Sequence, residues 1–373
     1  MNKLLWLFLL LNSVKSLRIP LFTKTISPTV RNGSILPWDQ KLSSFYRNEY
    51  PQEFLLTNLT VGSPAREFYL TVESGSKYLW ILDETNPNVR SDQHTYNSNK
   101  SSTSKFIRND FQTSTGHTNL YGTAFQDKID IGFSFNQAFG SISKMNSTTG
   151  RLDVVVDGSL GLSWGDFGED PEIKYLSPIV NMLGVYSFAQ QFYTLWIGPH
   201  NPSPEATVNG LITVGNFDLE HCNDDFKFVP LKIDDTYDYM HFEIDKFSIG
   251  KYTQEVASEA YLDSGSPVVQ VPSDIYNLIL QQIQPDYDSS RNLLITSCSD
   301  AAQLPSWKFT IDDLDYEVES GKYVVDLNLG NDNCALALDK SFEVFVLGLP
   351  FARSYCQLFQ LIGQNVGFAK PKE

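Results

Sequence analysis

Positive charge is scarce in this chain of 373 residues, where 28 Lys and Arg stand against 44 Asp and Glu for a net charge of −16. A phosphate backbone is held by clustered basic groups, so no nucleic acid partner is expected. Cysteine is scarce as well: Cys222, Cys298, Cys334 and Cys356 are all there is, and no two stand in Cys-x-x-Cys spacing. The five histidines show no His-Glu-x-x-His arrangement, so no metal centre is expected. The chain also lacks Gly-x-Ser-x-Gly and Gly-x-Gly-x-x-Gly, which argues against a serine nucleophile and against nucleotide or other cofactor chemistry. No apolar run is long enough for a membrane span.

What remains is a globular composition, 42% hydrophobic and 13% aromatic, in a chain long enough for two cores. Residues 1–16 read as a signal peptide, with Lys3, an apolar segment from Leu4 to Leu11, and Val14-Lys15-Ser16 as the cleavage site. This places the protein on the secretory pathway, either extracellular or in the lumen of an acidic organelle, and in either place as a monomer. Asn32, Asn58, Asn99 and Asn146 open glycosylation triplets, of which Asn99 and Asn146 are the favoured sites. In an oxidising compartment the four cysteines make two disulfides, with three pairings open. The acidity itself suits either simple solubility or an acidic compartment, where carboxylates are partly neutralised.

Two short stretches organise the rest. Leu70-Thr71-Val72-Glu73-Ser74-Gly75-Ser76 has a near-copy in Ala260-Tyr261-Leu262-Asp263-Ser264-Gly265-Ser266. Each is a β run ending in an acid, a small hydroxyl residue and a turn glycine. Each is followed by an apolar residue and a glycine, at Leu160-Gly161 (161 − 75 = 86) and Leu347-Gly348 (348 − 265 = 83). The repeat predicts an all-β, bilobal fold in which each lobe presents one carboxyl group. The division reads as a short arm over 17–45, an N-terminal β lobe over 46–216 and a C-terminal β lobe over 217–373. The arm is locally basic, with Arg18, Lys24, Arg31 and Lys41 against Asp39, and is read as a propeptide-like cover for an acidic cleft. Residues 83–110 read as polar and loop-rich, and 116–122 as a hairpin tip. Helices are few: Ser177 to Gly184, with Ser177 as N-cap, and Ser273 to Ile283, with Ile275, Leu278, Ile279 and Ile283 on one face.

The sequence resembles the pepsin and cathepsin D family of aspartic endopeptidases over nearly all its length after residue 16. The resemblance runs through Asn58-Leu59-Thr60-Val61-Gly62-Ser63-Pro64, the Glu73-Ser74-Gly75-Ser76 loop with Leu79-Trp80, and Asp157-Gly158-Ser159-Leu160-Gly161. It continues at Asp263-Ser264-Gly265-Ser266, Val346-Leu347-Gly348-Leu349-Pro350-Phe351 and Val366-Gly367-Phe368-Ala369. It implies a peptide or unfolded protein substrate in an interlobe cleft, with water held between Glu73 and Asp263 and no metal or cofactor. It also implies loop support from Ser74, Gly75, Ser264 and Gly265, and a flap and cleft built with Thr115, Gly116, Trp80 and Ser266. Finally, it implies a Cys298–Cys334 disulfide, which leaves Cys222 with Cys356.

Three positions depart from the family pattern. Glu73 stands where the family has aspartate, and its extra methylene displaces the carboxyl by roughly 1 Å, a misplacement that can cost about 100-fold in rate. Thr115 replaces the flap tyrosine, with Tyr121 a substitute only in a different hairpin register. Pro267 replaces a serine and removes a backbone N–H. The sequence therefore leaves two readings: slow or lost peptide-bond hydrolysis, or a peptide-binding pseudoprotease.

Overall fold

The computed structural model describes residues 16–26, 52–116, 118–147, 156–163, 177–201, 207–232 and 240–372. The expected signal peptide, apart from Ser16, lies outside them, as does most of the expected arm. The N-terminal half is built from β1 (Leu17–Ile26), β2 (Gln52–Val61), β3 (Arg66–Glu73), β4 (Leu79–Leu82), β5 (Lys105–Thr115), β6 (Thr118–Asp130), β7 (Ser134–Ser147) and β8 (Gly158–Gly161). Helix α1 (Pro178–Val185) and strands β9 (Phe192–Ile197) and β10 (Thr207–Val214) follow. Strand β1 is built into the large sheet between β10 and β2, because Ile19 and Leu21 alternate onto the buried face.

The second half contributes β11 (Lys227–Pro230), β12 (His241–Ile249), β13 (Tyr252–Leu262), β14 (Val269–Val271) and α2 (Ser273–Ile283). Strands β15 (Asp286–Asp288) and β16 (Leu293–Ser297) pair with β19 (Val324–Val325) and β20 (Asn333–Leu336) in a small four-stranded sheet. The remaining elements are β17 (Trp307–Ile311), β18 (Leu314–Val318), α3 (Ser320–Tyr323), β21 (Leu338–Lys340), β22 (Phe345–Leu347), α4 (Leu349–Ala352), β23 (Cys356–Gln360) and β24 (Asn365–Ala369). The molecule is predominantly β, as expected, with one thirteen-stranded and one seven-stranded sheet. The C-terminal strands β23 and β24 join the larger sheet beside β9, so the chain's end ties the two halves together.

The repeat seen in the sequence is a repeat of strand pairing. In the first half β3 runs parallel to β8, β8 antiparallel to β4, and β4 parallel to β7. In the second half β13, β22, β14 and β21 repeat that order and those directions. The Leu-Gly partners are explained by this crossing. A Cβ on Gly161 would lie 2.5 Å from Ser76 O, and one on Gly348 would lie 2.1 Å from Val268 O. Gly348→Ala therefore forces backbone apart beneath the second acid loop and is expected to destabilise the protein by about 3 kcal/mol or more. Chemical denaturation would measure this, and a loss under ~1 kcal/mol would contradict the close approach.

Several local expectations change on folding. Residues 105–110 are strand rather than loop, and the hairpin tip is the short connection between Thr115 and Thr118, not 116–122. Strand β5 is largely exposed and is held by its ladder to β6, so it carries no apolar alternation to read. Ser177 precedes α1 but does not cap it, because its hydroxyl donates to Gly161 O at 3.0 Å. Helix α2 buries Ile275, Ile279 and Ile283, with Leu278 half-buried. Disulfides join Cys298 to Cys334 and Cys222 to Cys356. Among the described residues no helix is long and apolar enough to cross a membrane.

Candidate active site

The two acid loops meet back to back, and their serines lock them. Ser74 N–H donates to Ser264 Oγ at 3.0 Å, while Ser264 N–H donates to Ser74 Oγ at 2.9 Å. Each hydroxyl then spends its own proton on the opposite strand: Ser74 Oγ donates to Leu262 O at 3.1 Å and Ser264 Oγ to Val72 O at 2.8 Å. Both serines are buried, so the four bonds are shielded from water and fix one loop against the other.

This lock places each carboxyl over the opposite loop's glycine. A Cβ on Gly75 would lie 3.0 Å from Asp263 Cγ, and one on Gly265 only 2.8 Å from Glu73 Cγ. Gly75 and Gly265 are needed for that clearance, not for an unusual φ. Asp263 Oδ1 accepts the Gly265 N–H at 2.9 Å, while the Ser266 N–H donates to the Asp263 main-chain carbonyl at 3.1 Å. Glu73 has different company. Its Oε1 accepts from Thr71 Oγ1 at 3.0 Å and, from the tip of the β5–β6 hairpin, from Thr115 Oγ1 at a long 3.5 Å. Ser159, fully buried opposite Thr71 in the β3–β8 register, faces the same carboxyl without the geometry of a hydrogen bond.

The electrostatics follow from this crowding. Burial, then repulsion from Asp263, pushes the Glu73 carboxyl up to about 7, against smaller opposing effects of the three hydroxyls when they donate to it. Burial also raises Asp263, which its backbone N–H donors partly offset. Two adjacent carboxyls in one desolvated place hold one proton between them more readily than two charges.

Other expected residues have supporting positions. Trp80 is buried with Leu82, Phe111, Leu120 and Ile142 in a small apolar cluster. Gly116 takes the left-handed φ of +50° that the hairpin turn requires. Ser266 turns its hydroxyl to Val268 O at 2.9 Å, and its carbonyl accepts the Leu349 N–H at 2.8 Å, so it braces the loop. Tyr121 pairs with Gln112 within the ladder, three residues beyond Thr118, and so does not replace a tip tyrosine. Asn99 and Asn146 are exposed, whereas Asn58 Nδ2 is bonded to Glu67 Oε1 at 2.6 Å. Among the described residues one group of candidate metal ligands gathers, Cys298, Asp326 and Cys334, but its two thiols form a disulfide.

Sequence reasoning missed Thr71 and Ser159. The signal was present, since Thr71 lies two residues before Glu73 on one strand and therefore on the same face.

Comparison with known proteins agrees with this geometry. The eukaryotic aspartyl protease family model matches residues 54–371. Aspartic protease 1 of Caenorhabditis elegans is 27% identical over 336 residues, covering 86% of this chain and 83% of the relative. Aspartic protease 17 of the same organism is 25% identical over 341 residues, covering 86% and 84%. Pepsin A of Sus scrofa is 22% identical over 377 residues, covering 96% and 92%. Paired acid loops, a crossed serine lock and a match over most of its length together make this chain a member of the eukaryotic aspartyl protease family, with Glu73 in place of one of the two aspartates.

Proposed function

We propose that this protein is an acid endopeptidase of low turnover, which cuts extended peptide segments of unfolded protein with water held between Glu73 and Asp263. The observation that carries the reading is the crossed serine lock, which sets the two carboxyls over each other's glycines. One carboxyl, ionised, takes a proton from water as its oxygen bonds to the scissile carbonyl carbon. The other, protonated, donates to the carbonyl oxygen and gives a gem-diol. The C–N bond then breaks as the nitrogen takes the proton from the first carboxyl, and the second recovers its own from the diol. The raised Glu73 favours this state at acid pH, which fits an acidic lumen on the secretory route.

Low turnover follows from Glu73's length and from Pro267, which supplies neither hydroxyl nor N–H to a bound peptide. A second reading, peptide binding without cleavage, is favoured by one contact: the Thr115 hydroxyl reaches toward Glu73 Oε1 at 3.5 Å, where a reacting water or carbonyl needs room. Hydrolysis of an unfolded protein from about pH 3 to 6, with and without a statine-type transition-state mimic, separates the two. Cleavage blocked by the mimic supports the enzyme. Binding of the mimic with no cleavage supports the second reading. Glu73→Asp is expected to raise kcat by up to about 100-fold through restored geometry. No increase would move the defect to Thr115 and Pro267.

A further inference from the structure

The two acids sit in chemically unequal surroundings. The hydrogen bond to the Asp263 carboxyl comes from the backbone N–H of Gly265, and the backbone N–H groups of Gly75 and Ser266 also favour its charged form. An amide N–H can only donate, so this cradle suits a carboxylate and offers no acceptor for a carboxylic acid proton. Glu73 is surrounded instead by hydroxyls, which can turn. Thr71 Oγ1 has one proton and two acceptors in reach, Glu73 Oε1 at 3.0 Å and Gly158 O at 3.3 Å. The Gly158 carbonyl cannot donate. When Thr71 gives its proton to Gly158 O, its lone pair faces Glu73, and the bond between them then needs a proton on Glu73.

From this asymmetry we propose that the shared proton resides on Glu73, that Asp263 is the carboxylate which activates water, and that Thr71 is the positioning residue that makes the assignment. The chain Glu73–Thr71–Gly158 runs unbroken, each group donating to the next, when Glu73 is the donor at its head. The charged group facing Glu73 is Asp263. From the other packed elements, Ser159 on β8, Thr115 on β5 and Gly265 on the opposite loop are uncharged. Burial and the neighbouring Asp263 charge, which raise Glu73, accord with a proton on this residue. The assignment makes the longer acid the group that polarises the scissile carbonyl and the well-placed Asp263 the base. Its mechanistic consequence rests on the hydrolytic reading above, but the location of the proton does not.

The test reads protonation directly. Protein carrying 13C in its Glu and Asp side-chain carboxyls is titrated by NMR from about pH 3 to 8. The two resonances are identified by their loss in Glu73→Gln and Asp263→Asn. The expected result is a Glu73 carboxyl that titrates last and an Asp263 carboxyl already ionised at the midpoint. Thr71→Val, which keeps the β-branched shape and removes the hydroxyl, is expected to draw the two midpoints together by about one pH unit, a tenfold change in relative proton affinity. Thr71→Ser is expected to keep them apart. An ionised Glu73 beside a protonated Asp263 overturns the assignment. Midpoints that stay fixed or separate further in Thr71→Val overturn the role of Thr71, since that is how a donor to a carboxylate would behave. The titration needs no turnover, so an inactive protein still answers it, and absence of cleavage would count only against the hydrolytic reading.

Discussion

Asp263→Asn is expected to lower peptide cleavage by on the order of 10³-fold while leaving the fold in place. Removal of a positioned acid or base commonly costs 10²–10⁴-fold. Here the replacement has nearly the same shape, and its side-chain oxygen can still accept the Gly265 N–H. The serine lock that joins the loops runs through Ser74 and Ser264 and does not use the Asp263 side chain. Removing Asp263's charge also removes one of the two causes that raise Glu73. Burial is the larger cause, so Glu73 remains above the ordinary carboxylate range in the variant. The measurement is kcat/KM on an unfolded protein from about pH 3 to 6, beside a thermal melt of both proteins. Equal cleavage by wild type and variant would place the activity outside this dyad.

The same raised carboxyl ties stability to pH. Glu73 binds its proton more tightly in the folded chain, where its pKa is about 7, than at its ordinary value of 4.5. Its contribution to stability is therefore fully present below about 4.5 and is lost as pH rises through about 7. The site is at ease in acid and strained at neutral pH.

Much of this architecture could be read before folding. Strands that alternate, such as Arg66–Glu73 and Trp307–Ile311, bury one face and so write period two into the chain. The repeated acid loops were legible because each needs a glycine, and each partner glycine is crossed by backbone 2.1–2.5 Å from where a Cβ would stand. Strand β5 was not legible, because an exposed hairpin arm is stabilised by pairing rather than burial. At the site, the acids and serines announced themselves by repetition. Thr71 and Ser159 did not, since their counterparts Tyr261 and Val346 carry no matching chemistry and they matter only through a register that sets one opposite the other. Contacts of very long range leave no local pattern at all. Glu53 and Arg353, 300 positions apart, form the clearest case.

Arg353→Met is expected to cost about 3–5 kcal/mol, because it leaves a buried carboxylate without its guanidinium. Glu53 on β2 and Arg353 after α4 are both at least 97% buried and bonded through Arg353 Nη2 and Glu53 Oε2. His200 Nδ1 meets the same Oε2 at 2.6 Å, and its Nε2 reaches Asp326 O at 2.8 Å, so one cluster joins both halves of the chain. Burial alone would raise Glu53, but the His200 hydrogen bond and the Arg353 charge outweigh it and hold the carboxyl below its ordinary value. That sign fixes the pH window. The cluster's contribution is present above about 4.5, the ordinary value, and is lost as pH falls through the lower folded value. In Arg353→Met the carboxyl can take up a proton instead, so the deficit should be largest near pH 7 and should shrink toward pH 4. The pair adjoins a cavity of about 30 Å³ lined by Pro267, Val268, Leu336 and Leu349, so apolar side chains have suitable neighbours there. Glu53→Leu combined with Arg353→Met is accordingly expected to recover most of the loss, as apolar replacements of buried ion pairs often do. Urea unfolding of the single and double variants at pH 4 and pH 7 checks both statements. A deficit independent of pH, or a double variant no better than the single one, would mean that packing around Arg353, rather than its charge, joins the two halves at this point.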